Sequence, residues 1–183
     1  GVMVTPHGIH VDAEGNVWVT DFAVNEERTK GHQVHKFSSS GELLMSLGTA
    51  GQAGSEPNQF NQPNDVVTGP DGSIYVADGH NGQGMTTGQA IAAGIEAGST
   101  ARIMKFSADG TFIKEWGQLG TLHGEFRTPH ALAFDSEGRL FVADRGNHRI
   151  EIFDQDGNYL DSRYSYGRIS GIFITGDNML YAI

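Results

Sequence analysis

The sequence predicts an all-β protein built from repeated four-stranded antiparallel units, and three observations carry that expectation. Three segments run in step: Pro6-His7-Gly8-Ile9 leads to Asp21, Pro63-Asn64-Asp65-Val66 to Asp78, and Pro129-His130-Ala131-Leu132 to Asp144. The interval from His7, Asn64 or His130 to the closing aspartate is 14 residues each time. A second β-rich pair follows each segment, and 26 glycines among 183 residues suit many short strands joined by tight turns rather than a helical bundle.

The first hairpin of each unit is a β-rich run, an acidic-Gly turn and a second β-rich run. The turns fall at Glu14-Gly15, Asp71-Gly72 and Glu137-Gly138, where glycine supplies a positive φ. Trp18, Tyr75 and Phe141 take one fixed place in the second strand, where an aromatic ring can fill the gap between neighbouring sheets. The second hairpin turns at Ser40-Gly41, Asp109-Gly110 and Asp156-Gly157. Such units set radially make a β-propeller. The repeats read as 5–48, 60–117, 126–164 and an incomplete 168–183, in which Asn178 takes the turn-Gly place and Tyr181 the aromatic place. Propellers close with 4–8 blades. Residues 1–183 therefore read as a single partial domain of about three and a third blades, a piece of a longer protein. Gly1 is no natural start, which points the same way.

Two insertions follow the repeat aspartate, over residues 23–31 and 82–101. The first reads as an exposed charged loop. Within the second, residues 89–97 suit one or two helical turns, against which the glycines count. The insertions share one face of the ring with the Pro-His turns and with the segments after Asp78 and Asp144, and loops on one face of a rigid scaffold are where function sits.

The net charge of -10 disfavours a nucleic-acid partner, because an acidic surface repels phosphate backbones. No apolar run is long enough to span a membrane as a helix. The absence of cysteine excludes disulfides and thiolate metal sites without settling the compartment, and oligomeric state is not legible.

His7 and His130 are equivalent positions at the start of an innermost strand. They read either as a zinc pair on the ring axis or as turn residues kept for a hydrogen bond. The order His7, Asn64, His130, Ser170 alternates. In a six-bladed ring, alternate blades lie about 120° apart, which suits three ligands around one metal and places the third histidine beyond Ile183. Arg145 reads as a fork for a substrate carboxylate or as a surface arginine paired with an acid. His80 reads as a base, a further metal ligand or an exposed loop residue. His10 is expected to be structural, and His32, His35, His123 and His148 exposed. Asp154-Gln155-Asp156-Gly157-Asn158 begins like a calcium loop but has Ser165 where the twelfth-place glutamate belongs, so it reads as a hairpin turn.

The segment Asp144-Arg145-Gly146-Asn147-His148-Arg149-Ile150 resembles the NHL repeat. Pro6-His7-Gly8-Ile9, Gln59-Phe60-Asn61-Gln62-Pro63-Asn64-Asp65-Val66, Ile74-Tyr75-Val76-Ala77-Asp78-Gly79 and Pro129-His130-Ala131-Leu132 resemble the peptidyl-α-hydroxyglycine α-amidating lyase family. That resemblance implies a six-bladed propeller with a central zinc on three histidines and a structural calcium bound partly through backbone carbonyls. It also implies cleavage of the C–N bond of a peptidyl-α-hydroxyglycine to a peptide amide and glyoxylate. Two zinc ligands correspond to His7 and His130, a calcium-binding carbonyl to Ile9, and the active-site arginine to Arg145. The family's catalytic tyrosine corresponds to His80, a departure that leaves a histidine base, another chemistry or none. A family disulfide corresponds to Asn61 and Asn81, so that bridge is lost as a pair. The resemblance points to a secreted or periplasmic protein with a small-molecule or peptide substrate. The contrasting expectation is a non-catalytic propeller that binds a protein or small ligand through its loop-rich face.

Overall fold

A computed structural model describes residues 1–80 and 100–183; the helical turns expected over 89–97 lie outside the described residues. The described residues form three four-stranded antiparallel sheets and a two-stranded one. The first holds β1 (Pro6–Val11), β2 (Val17–Asp21), β3 (Gln33–Phe37) and β4 (Leu43–Leu47). The second holds β5 (Pro63–Thr68), β6 (Ile74–Asp78), β7 (Arg102–Phe106) and β8 (Phe112–Trp116). The third holds β9 (Pro129–Phe134), β10 (Leu140–Asp144), β11 (Arg149–Phe153) and β12 (Tyr159–Arg163), and the last β13 (Ile172–Ile174) and β14 (Leu180–Ala182). Strands pair strictly in chain order, and the inner strands lie side by side, β1 against β5, β5 against β9 and β9 against β13. This is the β-propeller arrangement.

The repeat aromatic does what its position predicts. Trp18 is buried in the layer between the first two sheets, with Val34, Phe60, Val66 and Met104. Tyr75 takes the same place between the second and third, among Ile103, Phe126, Leu132 and Phe153. Phe141 packs, half-buried, against the smaller layer of Ala131, Ala143, Ile150 and Ile169. Burial of this apolar area is the main force holding sheet on sheet. The hairpin turns also follow the sequence: Gly15 has φ 82° and Asn178 has φ 64°, so asparagine stands in for glycine in the left-handed region. Asp154 accepts the Asp156 and Asn158 backbone N–H groups, both at 2.9 Å, which closes a hairpin turn as expected.

The repeat aspartates fix the loops that lead into the inner strands. Asp21 accepts the backbone N–H groups of Val4 (2.9 Å) and Thr5 (2.7 Å), Asp78 that of Asn61 (2.7 Å), and Asp144 that of Arg127 (2.9 Å). In the second and third sheets a buried arginine completes the latch. Arg149 pairs with Asp144 at 3.1 Å and donates to the carbonyls of Thr121, Leu122 and Glu125, and Arg102 likewise pairs with Asp78 and donates to those of Ser55 and Gln59. Each arginine thus staples the incoming loop to the end of the second strand, on the face that carries the histidines.

Two histidines expected at the surface are buried. His32 is buried and its Nδ1 accepts the Gln62 N–H at 3.3 Å, and His35 is buried on β3 with Nδ1 2.8 Å from the Ser46 hydroxyl. Both lie where the next loop or strand covers them, which depends on long-range packing. His123 and His148 are exposed as expected. His10 bonds Thr68 Oγ1 at 2.9 Å and so ties the first sheet to the second.

Candidate metal centre

Glycine at position 8 lets β1 and β5 approach at the ring axis. A Cβ there would stand 2.5 Å from the Asn64 carbonyl oxygen and 2.8 Å from Asp65 Oδ1, closer than real Cβ atoms come. The approach brings the His7 ring to that same carbonyl, to which its Nδ1–H donates at 2.9 Å. His130 repeats the arrangement two sheets on, donating from Nδ1 to the Ser170 carbonyl at 2.8 Å. Asn64 and Ser170 are the repeat equivalents of the two histidines, so each ring is held by the next blade. With Nδ1 carrying the proton, Nε2 keeps the lone pair that a metal ligand needs.

His80 reaches the same place from the loop after β6. Gly79 precedes it with φ 116°, and a Cβ on Gly79 would overlap the Thr100 carbonyl at 1.8 Å, so only glycine fits this path. The donor atoms of His7, His80 and His130 all lie within 4.8 Å of one another. Ring centroids are 5.0 Å apart for His7 and His130, 5.6 Å for His7 and His80, and 5.4 Å for His80 and His130. The alternation of the repeat looks beyond Ile183 for a third histidine; among the described residues, the third member of the cluster is His80.

Two of the three rings are held against protonation. Burial first, then the positive charge of Arg145, pushes His130 down to about 4. Burial first, then His7 and Arg145, does the same to His80. At His80 and His130 the neutral imidazole, the state a cation requires, is thereby favoured near neutral pH. The donor set therefore suits zinc, which favours imidazole nitrogen.

Arg145 stands at the start of a 3-10 turn over Arg145–Asn147 directly after β10. Its Nη1 donates to His130 Nε2 at 2.8 Å, and among the described residues its buried Nε has no hydrogen-bond partner. Ile9 stands on β1 opposite Val19 and lines a channel cavity of about 220 Å³ with His7, Asn64, Asp65 and His130. Asp65 on that wall accepts the N–H groups of Leu132 (2.8 Å) and Val66 (2.9 Å), yet burial outweighs them and pushes its carboxyl up to about 7.

Sequence reasoning missed Phe22, whose ring stacks on His7 at 5.3 Å and meets His80 edge-on at 5.1 Å. The available signal is the repeat register: Phe22, Gly79 and Arg145 each follow the repeat aspartate. The carbonyls of Asn64 and Ser170 were also missed, because their side chains say nothing about a backbone contact.

Residues 60–83 and 126–153 match the NHL repeat family. The chain is 37% identical over 157 residues to NHL repeat-containing protein 3 of Homo sapiens, covering 83% of this chain and 40% of that protein. It is 35% identical over 189 residues to peptidyl-glycine alpha-amidating monooxygenase A of Xenopus laevis, covering 97% and 18%. It is 34% identical over 172 residues to peptidyl-alpha-hydroxyglycine alpha-amidating lyase 1 of Drosophila melanogaster, covering 87% and 27%. The chain thus spans well under half the length of these relatives. Among solved structures, a streptogramin B lyase superposes with TM-score 0.63 at 18% identity, over 96% of this chain and 46% of that one. A gluconolactonase from Xanthomonas campestris superposes with TM-score 0.65 at 17% identity, over 97% and 53%; both likenesses speak to the fold. The chain is an NHL-repeat β-propeller that resembles the peptidyl-α-hydroxyglycine α-amidating lyase family.

Proposed function

We propose that this chain is the metal-binding part of a six-bladed lyase that cleaves the C–N bond of a peptidyl-α-hydroxyglycine-like substrate to an amide and glyoxylate. The observation that carries the reading is the cluster of His7, His80 and His130, with donor atoms within 4.8 Å of one another and Arg145 beside it. His7 and His130 would hold a zinc ion through Nε2, their Nδ1 protons being committed to backbone carbonyls. When bound, zinc supplies a Lewis acid for the carbinol oxygen. Neutral His80 takes the carbinol proton as the C=O bond forms and returns it to the departing nitrogen as the C–N bond breaks, giving the amide and glyoxylate. Arg145 binds the substrate carboxylate through its planar fork. Phe22 packs one face of the His7 ring and meets His80 edge-on, which helps to hold both rings in place. By the resemblance, the Ile9 backbone carbonyl would be one of the groups holding a structural calcium. The resemblance to amidating lyases supports this assignment, and with it a secreted or periplasmic protein acting on peptides or small molecules rather than nucleic acid.

The second reading is a propeller that binds a protein or small ligand without catalysis. It is favoured by the 37% identity to NHL repeat-containing protein 3 and by histidine at position 80, where the lyase family carries its catalytic tyrosine. His80 has one lone pair to offer, so it is either the base or a ligand. Zinc-loaded full-length protein is incubated with α-hydroxyhippurate and glyoxylate is measured; none formed rejects the lyase. His80→Gln separates the two roles. Turnover lost with metal retained identifies the base, and metal lost identifies a ligand.

A further inference from the structure

The hydrogen bond between Arg145 and His130 occupies the one lone pair through which His130 could bind a metal. His130 Nδ1 is spent on the Ser170 carbonyl at 2.8 Å, so Nε2 is the only acceptor left on the ring, and Arg145 Nη1 sits on it at 2.8 Å. A neutral imidazole offers one such lone pair, and a guanidinium and a cation cannot share it. Resting on the metal-site reading above, we infer that Arg145 is an exchange latch: it caps His130 while the site is empty, and a metal ion must displace it to bind.

The surroundings of Arg145 suit a side chain that moves on a fixed base. Its backbone N–H donates to the Thr128 carbonyl at 2.9 Å, and Gly146 behind it packs so closely that a Cβ would stand 2.6 Å from Arg127 Cβ. The stem is therefore anchored. Among the described residues, the guanidinium makes its hydrogen bond to His130 through Nη1 while its buried Nε has no hydrogen-bond partner, a cost that the latched pose carries and a departure relieves. The displaced fork is freed at the edge of the metal site, where a carboxylate would meet it. Metal binding and carboxylate binding are then coupled, and the coupling acts equally in both directions.

The test is zinc titration of full-length wild type and Arg145→Met, by chelator competition, in 0.1 M and 0.5 M salt, with thermal melting to confirm that both are folded. Loss of the latch is expected to tighten zinc binding about tenfold, equivalent to 1.4 kcal/mol, at both salt concentrations. A tightening confined to low salt would show only the removal of a repelling charge, which salt screens, and would overturn the latch. Unchanged or weaker binding in Arg145→Met, with zinc still bound by wild type, would overturn the latch and leave the metal site standing. No zinc on either protein would overturn both. Zinc on the variant alone would be the latch in its strongest form.

Discussion

The backbone carbonyl of Asn64 stands 2.9 Å from Nδ1 of His7 and so fixes which nitrogen of that ring is free. Asn64 is the residue that the second blade carries in the place of His7. The repeat thus supplies both the ring and, one blade further on, the group that sets its tautomer. Ser170 does the same for His130.

His7→Ala removes one donor of the cluster without opening the apolar layers between sheets, since His7 is an exposed channel residue. Zinc affinity is expected to fall by about 100-fold or more, at or beyond the 10–100-fold that loss of an outer-shell partner costs. The melting temperature of the metal-free protein should change little. Chelator competition and thermal denaturation check the two halves.

Gly8→Ala places a methyl group 2.5 Å from the Asn64 carbonyl oxygen and 2.9 Å from Asp65 Cα, both backbone atoms that cannot swing away. The inner strands must separate, at a cost of about 1–3 kcal/mol. The same movement pulls His7 off its carbonyl, so metal affinity should fall together with the urea midpoint. A variant with wild-type stability would show that β1 and β5 are free to part.

Arg149→Ala leaves Asp144 buried without its cation and strips the carbonyls of Thr121, Leu122 and Glu125 of a donor. A loss of about 3–5 kcal/mol is expected, as for breaking other buried ion pairs. Arg149→Lys should recover only part of it, because an ammonium cannot replace the planar fork. Equilibrium urea unfolding measures both.

Asp12 gives a pH dependence away from the metal centre. Burial would raise its pKa, but hydrogen bonds from Trp18 Nε1, the Asn16 backbone and side chain, and Lys36 outweigh it and hold the carboxyl at about 2, against 3.8 when unperturbed. A depressed native pKa stabilises the fold above the unfolded value, and that contribution is lost as the pH falls through 3.8 toward about 2. After solvent screening it is worth about 1–2 kcal/mol. Asp12→Asn should therefore show a shallower loss of stability than wild type between pH 5 and pH 2. Parallel curves would place the acid sensitivity in other carboxylates.

The sequence alone determined the repeating unit, because strand alternation and turn chemistry are local. Gly15 and Asn178 both take positive φ where the repeat asks for it, and Trp18 and Tyr75 both fill the inter-sheet layers that their register assigns. It also marked His7, His130, Arg145 and His80 as residues of one face. Tertiary structure decided what those residues do to one another. The convergence of His80 depends on Gly79 lying against the Thr100 backbone, on the far side of the second insertion. The burial of His32 and His35, the stacking of Phe22 on His7 and the seat of Arg145 on His130 each join residues 11 or more positions apart. Such contacts are set by how sheets twist and pack around the axis, which no local pattern encodes. The repeat could say which side chains reach the axis; only the folded third blade, where the turn after β10 comes back to β9, could say that Arg145 sits on His130 Nε2.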